Sequence, residues 1–565
     1  MIGGIKSQIR EIITCFLHNS GYQNTAVRVR KNAFLQNSYQ TDILFELAKN
    51  TSKTPHDLFL ELFSGDEMSD CFVFSFSGNG FLNITLKNEF ISQSLFEFRI
   101  DTLPRKNVDV VVDYASPNVA KEMHVGHLRS AAIGCAISRI LEFAGYNIIR
   151  QHHLGDWGTQ FGFIIQFIIE KEIETANLSM NEMNVIYQKA KELFDEDIEF
   201  EKRARIRLDK LQNSDVESLK IWDLLVKKTT KYLSDTFDRL EVDFDTKNIK
   251  GESSYRKELQ GIVDDLRNKK ICEKDNGAEI VKIDDKVEIL KKSDGTYLYI
   301  TTDLAALKYR VQEKNAKWLI YITDNRQIDH FKHVFHIARL ANWDEGVKLS
   351  HIAFGNVLGN NKKPLKTREG NNTPLSELIE AACIEAFSMM KGRVISDSVK
   401  ISHTIGVGAI KYFDLKNDYI KDYVFHMPHV LSLHGCTSVY IQNAYIRILS
   451  ILEKFQESPD SKNIDFQHLN LADYAQFQEE AEISVALKAL EFWDTFELVL
   501  ETLKPHHLSS YLYELASAFH LLYEKCQILK ASPKERNARL YLAYTVQNII
   551  YRSLDLLGIN VVREM

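Results

Sequence analysis

Two histidines bracket a glycine at His124-Val125-Gly126-His127, and this arrangement suits a bound phosphate. Neutral or charged imidazoles can donate hydrogen bonds, and a glycine lets a ligand come close to the backbone. Just before the quartet, Val108-Asp109-Val110-Val111-Val112 is a short apolar, β-branched run that reads as a buried strand. Just after it, Leu128, Ala131, Ala132, Ile133, Ala136, Ile137, Ile140 and Leu141 recur at helical spacing. The quartet therefore falls in a strand-to-helix crossover, where helix amides and the positive dipole end point at whatever binds. Taken alone, the same residues also fit a plain cap, with one histidine capping, the other packing and Gly126 serving the turn.

Composition narrows the setting. A chain of 565 residues can form three or four domains with sizeable cores. With 45% hydrophobic and 26% charged residues it has the make-up of an ordinary globular protein. No secretory leader and no bilayer-length apolar run is visible, so a cytoplasmic enzyme with no membrane partner is expected. The seven cysteines are scattered and never form Cys-x-x-Cys, which argues against a disulfide framework or zinc ribbon and for reduced, mostly buried thiols. A net charge of −7 has the wrong sign for a general nucleic-acid binder. RNA binding would need local basic patches, such as Arg28-to-Lys31 or Lys362-to-Arg368.

Along the chain, residues 1–105 read as a small α/β unit: a helix through Ile5, Ile9 and Phe16, then strands at 72–74 and 81–86 around a Gly-Asn-Gly turn. Residues 106–395 alternate strand and helix as a doubly wound α/β domain does, with strands at 108–113, 147–151, 318–323 and 350–354. A charged helical insertion interrupts it at about 170–245. Residues 396–565 read as a helical bundle.

The longer string carries a resemblance. Ser116-Pro117-Asn118-Val119-Ala120-Lys121 before the quartet, Leu128-Arg129-Ser130 after it, and Gly155-Asp156-Trp157-Gly158-Thr159-Gln160-Phe161-Gly162 downstream resemble bacterial arginyl-tRNA synthetases, of class I. The resemblance spans nearly the whole chain. It implies a Rossmann-like catalytic domain, an N-terminal domain contacting the outer corner of tRNA, and a C-terminal anticodon-binding bundle. It also implies a reaction: arginine attacks the α-phosphate of ATP, pyrophosphate leaves, and a terminal ribose hydroxyl of tRNA(Arg) takes the arginyl group from the adenylate. ATP with Mg²⁺, L-arginine and tRNA(Arg) are the expected partners; no protein metal site is expected, and the chain is expected to act as a monomer.

Phosphoryl chemistry of this kind is driven by positioning and charge neutralisation. The resemblance implies that His124, Gly126 and His127 contact ATP. A second cationic element falls at Lys363-Pro364-Leu365-Lys366-Thr367-Arg368, where the family has Lys-Met-Ser-Lys-Ser. This is a departure with two possible registers: Lys363 and Lys366 fill both lysine positions, or Thr367 replaces the second. Lys121 is the residue implied to compensate for such a degenerate loop.

A guanidinium offers five donors in a fixed fork and demands anionic, planar acceptors. Tyr299, Asp303, Gln327 and Glu252 match arginine-contacting positions of the family, and Asn118 the position that holds the α-amino or carboxylate end. A strand is expected to end near Ile300, which leaves a first-turn, dipole-stabilising role for Asp303 open. Trp157 is read as core or as a ligand-facing wall, and His152 and His153 as satisfied or exposed rather than as metal ligands. In the helical region Tyr440, Gln442, Asn443 and Arg447 are candidates for unpaired bases, while Tyr445 reads as core. His434, Cys436 and Val439 depart there from the family's Glu, Asn and Pro. A catalytically silent tRNA-binding paralogue, or a synthetase for another amino acid, stands as the alternative.

Overall fold

The computed structural model describes residues 4–565 except 24, 33–36, 66–69, 79, 102, 360–361, 364–372, 392–394, 464–465 and 467–472. At its centre lie four parallel strands, β1 (Asp109–Asp113), β2 (Asn147–Gln151), β3 (Trp318–Asp324) and β4 (Lys348–Phe354), in the spatial order β4-β3-β1-β2. All four match the expected strands to within about two residues. The β-branched runs explain the placement, since a parallel strand is covered on both faces.

Alternate residues of β1 and β3 face opposite layers. Val110, Val112, Ile320 and Ile322 pack with helix α1 (Val125–Phe143), whereas Val111, Leu319 and Tyr321 pack with α2 (Tyr299–Gln312) and α3 (Ile328–Leu340). From β1 the chain leaves to one side and from β3 to the other, so a crevice opens between them at their carboxyl ends. Tyr299 is already the first residue of α2, so the strand expected to end near Ile300 is absent. Asp303 then sits in the second turn with no acid in the first, and the dipole-cap reading of it falls away.

The insertion forms three helices, Met180–Glu196, Ile198–Gln212 and Val216–Arg239, packed on Thr159–Glu170 through Phe161, Ile164, Ile165 and Phe200. A three-stranded antiparallel sheet at residues 273–291 follows, which the sequence reading did not anticipate. The N-terminal unit combines a four-stranded antiparallel sheet with the helices Ile5–Asn19, Ile43–Lys49, Pro55–Leu62 and Asn88–Glu97, and the expected hairpin pairs Phe72–Phe76 to Leu82–Leu86.

Beyond 397 the described residues are mainly helical, with α4 (Ser398–Leu415) and α5 (Ser438–Gln456) joined by a largely irregular segment. Arg129 on α1 ties this region to the sheet. It is fully buried, pairs with the equally buried Asp414 of α4 at 2.9 Å, and donates to the carbonyls of Gly355 (2.6 Å) and Lys421 (3.2 Å). All seven cysteines are free; three are buried, three half-buried and Cys15 is exposed, so burial is less general than expected.

Candidate active site

The segment between β1 and α1 is held open by hydrogen bonds from its surroundings. Ala115 and Ala120 take left-handed backbone at φ 53° and 61°, a conformation costing about 1 kcal/mol or more for a residue with a Cβ. Ser130 accepts from the Ala115 amide (3.0 Å) and donates to the Ile322 carbonyl of β3 (3.1 Å). From the insertion, Thr229 accepts from the Ala120 amide and Tyr232 from that of Met123. The insertion thus supports the loop that carries Asn118 and Lys121.

At the start of α1 both imidazoles serve as caps. His124 Nδ1 accepts from the Gly126 amide at 3.1 Å, and His127 Nδ1 accepts from the His124 amide at 3.0 Å. This network assigns both rings the Nε2–H tautomer. Burial, with Lys121 and Arg326 nearby, pushes His124 down to about 4; burial and its neighbour His124 push His127 down to about 3. Both are therefore neutral donors at pH 7, suited to phosphate oxygens. Capping and ligand binding are thus compatible, one nitrogen for each. Gly126 is needed for the cap itself: a Cβ there would lie 2.9 Å from His124 Cε1.

A cavity of about 630 Å³ opens over this turn, within the usual range for a ligand site. Its wall brings together Asn118, Lys121, His124, Gly126, His127 and Gln327 from the predicted set. Asp324 and Arg326 at the end of β3, and Gly355 to Val357 after β4, complete it. Lys363 is not part of that wall; its carbonyl accepts from Gly359 in a turn beyond Val357. Lys366, Thr367 and Arg368 lie outside the described residues.

Beside this cavity the loop after β2 lines an acidic compartment. Gly155 pairs with Asn118, and a Cβ at 155 would lie 2.1 Å from Asn118 Oδ1, so glycine is what admits the Asn118 amide. Asp156 accepts from the amide (2.8 Å) and hydroxyl (2.7 Å) of Ser253, fixing the 3₁₀ turn Glu252–Tyr255 that presents Glu252. Glu252 accepts from the Trp157 amide at 3.3 Å. Burial, then the charges of Asp303 and Asp156, push its carboxyl up to about 8. Asp303 is enclosed too, but a 2.6 Å hydrogen bond to His330 and the nearby His153, at 3.5 Å, outweigh burial and hold it below the usual carboxylate range. Tyr299, largely exposed, sets its ring tilted against that of His330, 4.7 Å between centroids.

Three acids, Asp156, Glu252 and Asp303, thereby converge with the imidazoles of His153 and His330 as near counter-charges and Arg310 at longer range, an excess of negative charge that a bound guanidinium would satisfy. His153, Asp156 and His330 were missed as site residues from sequence. The signals were present in the Gly-Asp-Trp-Gly run and in the i, i+3 spacing of Gln327 and His330. The Trp157 ring packs against Trp222 and under Arg256, so its backbone rather than its indole serves the pocket. His152 is buried, with its Nδ1 2.8 Å from the Tyr114 carbonyl, while its Nε2 is buried without a hydrogen-bond partner among the described residues, so the expected satisfied histidine is satisfied at one nitrogen only.

In the helical region Asn443 and Arg447 line a groove of about 780 Å³ with Lys454, Lys525 and Lys530. Arg447 contacts His520 and lies over the Tyr523 ring at 4.6 Å. Tyr440 is half-buried against Tyr513 and His520. Gln442 is a correction. It is 1% exposed, its amide donates to the Asn560 carbonyl, and its oxygen accepts from the Val562 amide. It clamps the C-terminal segment and has no face left for a base. Tyr445 is buried, as read.

Residues 91–427 match the family model for tRNA synthetases class I (R), catalytic domain, and residues 441–565 that for the DALR anticodon binding domain. The chain is 38% identical over 507 residues to an arginine–tRNA ligase of Chromobacterium violaceum, covering 86% of this chain and 87% of that one. It is 36% identical over 535 residues to that of Cutibacterium acnes, covering 92% and 93%. Among solved structures, arginyl-tRNA synthetase from Plasmodium falciparum superposes with a TM-score of 0.79 at 27% identity over the full length of both chains. That from Thermus thermophilus gives 0.81 at 22% identity over 99% and 100%, a likeness of fold.

Proposed function

Since the chain belongs to the arginyl-tRNA synthetases of class I, we propose that its two adjoining compartments divide the substrates between them. The enzyme is an arginine–tRNA ligase: it joins L-arginine to tRNA(Arg) through an arginyl-adenylate, consuming ATP and releasing AMP and pyrophosphate. The observation that carries the division of roles is the pair of half-buried carboxylates, Asp303 and Glu252, beside a cavity lined by neutral histidines.

ATP occupies the cavity over α1, where His124 and His127 donate from Nε2 to phosphate oxygens and the helix amides add partial positive charge. Lys121 neutralises charge that builds on the leaving pyrophosphate. Lys363 stands outside the cavity wall, and with Lys366 it is the second cationic element proposed for the nucleotide phosphates. Arginine lies across the Asn118–Gly155 contact. Its guanidinium faces Asp303 and Glu252 beside Tyr299, and its α-amino and carboxylate ends meet Asn118 and Gln327. No base is needed, because the attacking carboxylate is already ionised. Two carboxylates at the nucleotide cavity, Asp113 and Asp324, are each bound by an arginine, Arg310 and Arg326. The chain thus offers Mg²⁺ little purchase there, and the ion enters as part of the nucleotide substrate.

The adenylate then passes arginine to the 2′-hydroxyl of tRNA, whose anticodon meets Asn443, Arg447 and the ring of Tyr440. One chain carries every part, which supports a monomer, and a cytoplasmic location fits a protein whose described helices include none long and apolar enough to cross a membrane. The test is aminoacylation of total tRNA with each of the twenty amino acids, together with ATP–pyrophosphate exchange. Arginine alone is expected to be charged, with exchange appearing only when tRNA(Arg) is added. Charging of another amino acid would overturn the specificity, exchange without tRNA would overturn the tRNA requirement, and no activity at all would favour the silent paralogue.

A further inference from the structure

His330 forms the shortest polar contact of the acidic compartment, with Nε2 2.6 Å from Asp303 Oδ2. Its position is set by α3. Gln327 caps that helix and faces the nucleotide cavity, and His330 follows three residues later on the same side. One helix start therefore serves both compartments. The imidazole is about one-tenth exposed and wedged between the rings of Tyr299 and Phe331, at 4.7 and 5.2 Å, which leaves it little choice of rotamer.

The other groups facing Asp303 make the contrast informative. His153 approaches the second oxygen at 3.5 Å, and Glu252 and Arg310 act at longer range. Glu252, which lacks an imidazole partner among the described residues, is pushed towards its neutral form, whereas Asp303 stays ionised. The N–H donor held at Oδ2 is the nearest of the groups that lower Asp303, alongside the charges of His153 and Arg310.

We propose that His330 is a positioning residue for arginine selection: by donating Nε2–H to Asp303 it aims that carboxylate and leaves its remaining acceptor sites to the guanidinium. It acts through Asp303 rather than on the reacting atoms. The inference rests on the reading of Asp303 as the guanidinium-binding acid.

The experiment is steady-state aminoacylation by the full-length enzyme with tRNA(Arg). His330→Phe keeps the ring and removes the donor, and His330→Gln can return an amide N–H to the same oxygen. Loss of a hydrogen bond to a charged group predicts an arginine KM raised about 10- to 100-fold in the Phe variant. Its kcat and ATP KM are expected to stay within about two-fold of wild type. The Gln variant recovers most of the loss. If the Phe variant does not fold, His330→Asn, too short to reach Asp303, takes its place with the same expectation. An unchanged arginine KM, a loss confined to kcat, or a Gln variant as impaired as Phe would overturn the proposal. Asp303→Asn separates the two layers: if it raises KM while His330→Phe does not, only the positioning role fails. If Asp303→Asn leaves KM unchanged, the arginine pocket itself is misplaced.

Discussion

Raising the pH from 7 to 8 is expected to tighten arginine binding about 5-fold, through Glu252. Its carboxyl titrates at about 8 in the empty pocket, because burial and the charges of Asp303 and Asp156 disfavour the anion. At pH 7 about nine in ten empty pockets then hold a protonated Glu252, and at pH 8 about half. A guanidinium pairs with the ionised form, so its entry expels the proton. The apparent dissociation constant is multiplied by 1 + 10^(pKa − pH), about 11 at pH 7 and about 2 at pH 8. The sign follows from the raised pKa: affinity grows with pH up to the carboxyl's own titration and levels off above it. The window stops at pH 8 so that the α-amino group of free arginine stays protonated. Isothermal titration of arginine into the enzyme, in two buffers of different ionisation enthalpy, reads both quantities. About 0.9 proton is released per arginine at pH 7 and about 0.5 at pH 8. Glu252→Gln removes the buffer dependence and flattens the pH profile. Equal affinities at pH 7 and 8 with no buffer-dependent heat would refute the reasoning, even if arginine binds.

Other expectations concern single contacts. His127→Ala removes a neutral donor from the nucleotide cavity and is expected to lower the adenylation rate by about 10²- to 10³-fold, while tRNA binding, measured by filter retention, is unchanged. Gly155→Ala places a methyl 2.1 Å from Asn118 Oδ1 and is expected to raise arginine KM, with a melting temperature close to wild type by differential scanning calorimetry. Asp414→Ala strands the buried Arg129 guanidinium and is expected to cost about 3–5 kcal/mol in urea denaturation; Arg129→Met with Asp414→Leu recovers part of it. Arg447→Ala removes a cation from the groove of the helical region and is expected to weaken tRNA binding and to lower the slope of its salt dependence by about one.

What could be read from the chain was local. The runs at Val110, Ile148, Leu319 and Ile352 became the four strands because uninterrupted apolar, β-branched segments have few other places to go. The His124–His127 quartet was placed correctly for the same reason: strand, glycine and helix are contiguous. The sheet at residues 273–291 was missed because its two outer strands are largely charged and exposed, and only the middle strand, 278–283, is mostly buried. His153 and His330 were missed as site residues because their meaning depends on Asp303, a partner 150 residues away in one case and in another helix in the other. Gln442 was misread because a polar residue on an amphipathic helix looks solvent-facing until the C-terminal segment is known to cover it. The Asp303 cap reading depended on where α2 begins, and helix starts are set by context as much as by sequence.

Arg129 has a bearing on how this protein can be taken apart. Its guanidinium is paired with a carboxylate on α4 and donates to the carbonyls of Gly355 and Lys421, so its stabilising partners come from sequence 226 to 292 residues away. A fragment ending before residue 398 would keep the whole nucleotide cavity in its sequence and still bury a charge with nothing to balance it. Catalysis in this chain is therefore not a detachable module: the smallest unit able to hold the histidine turn in place includes the first helix of the region that follows it.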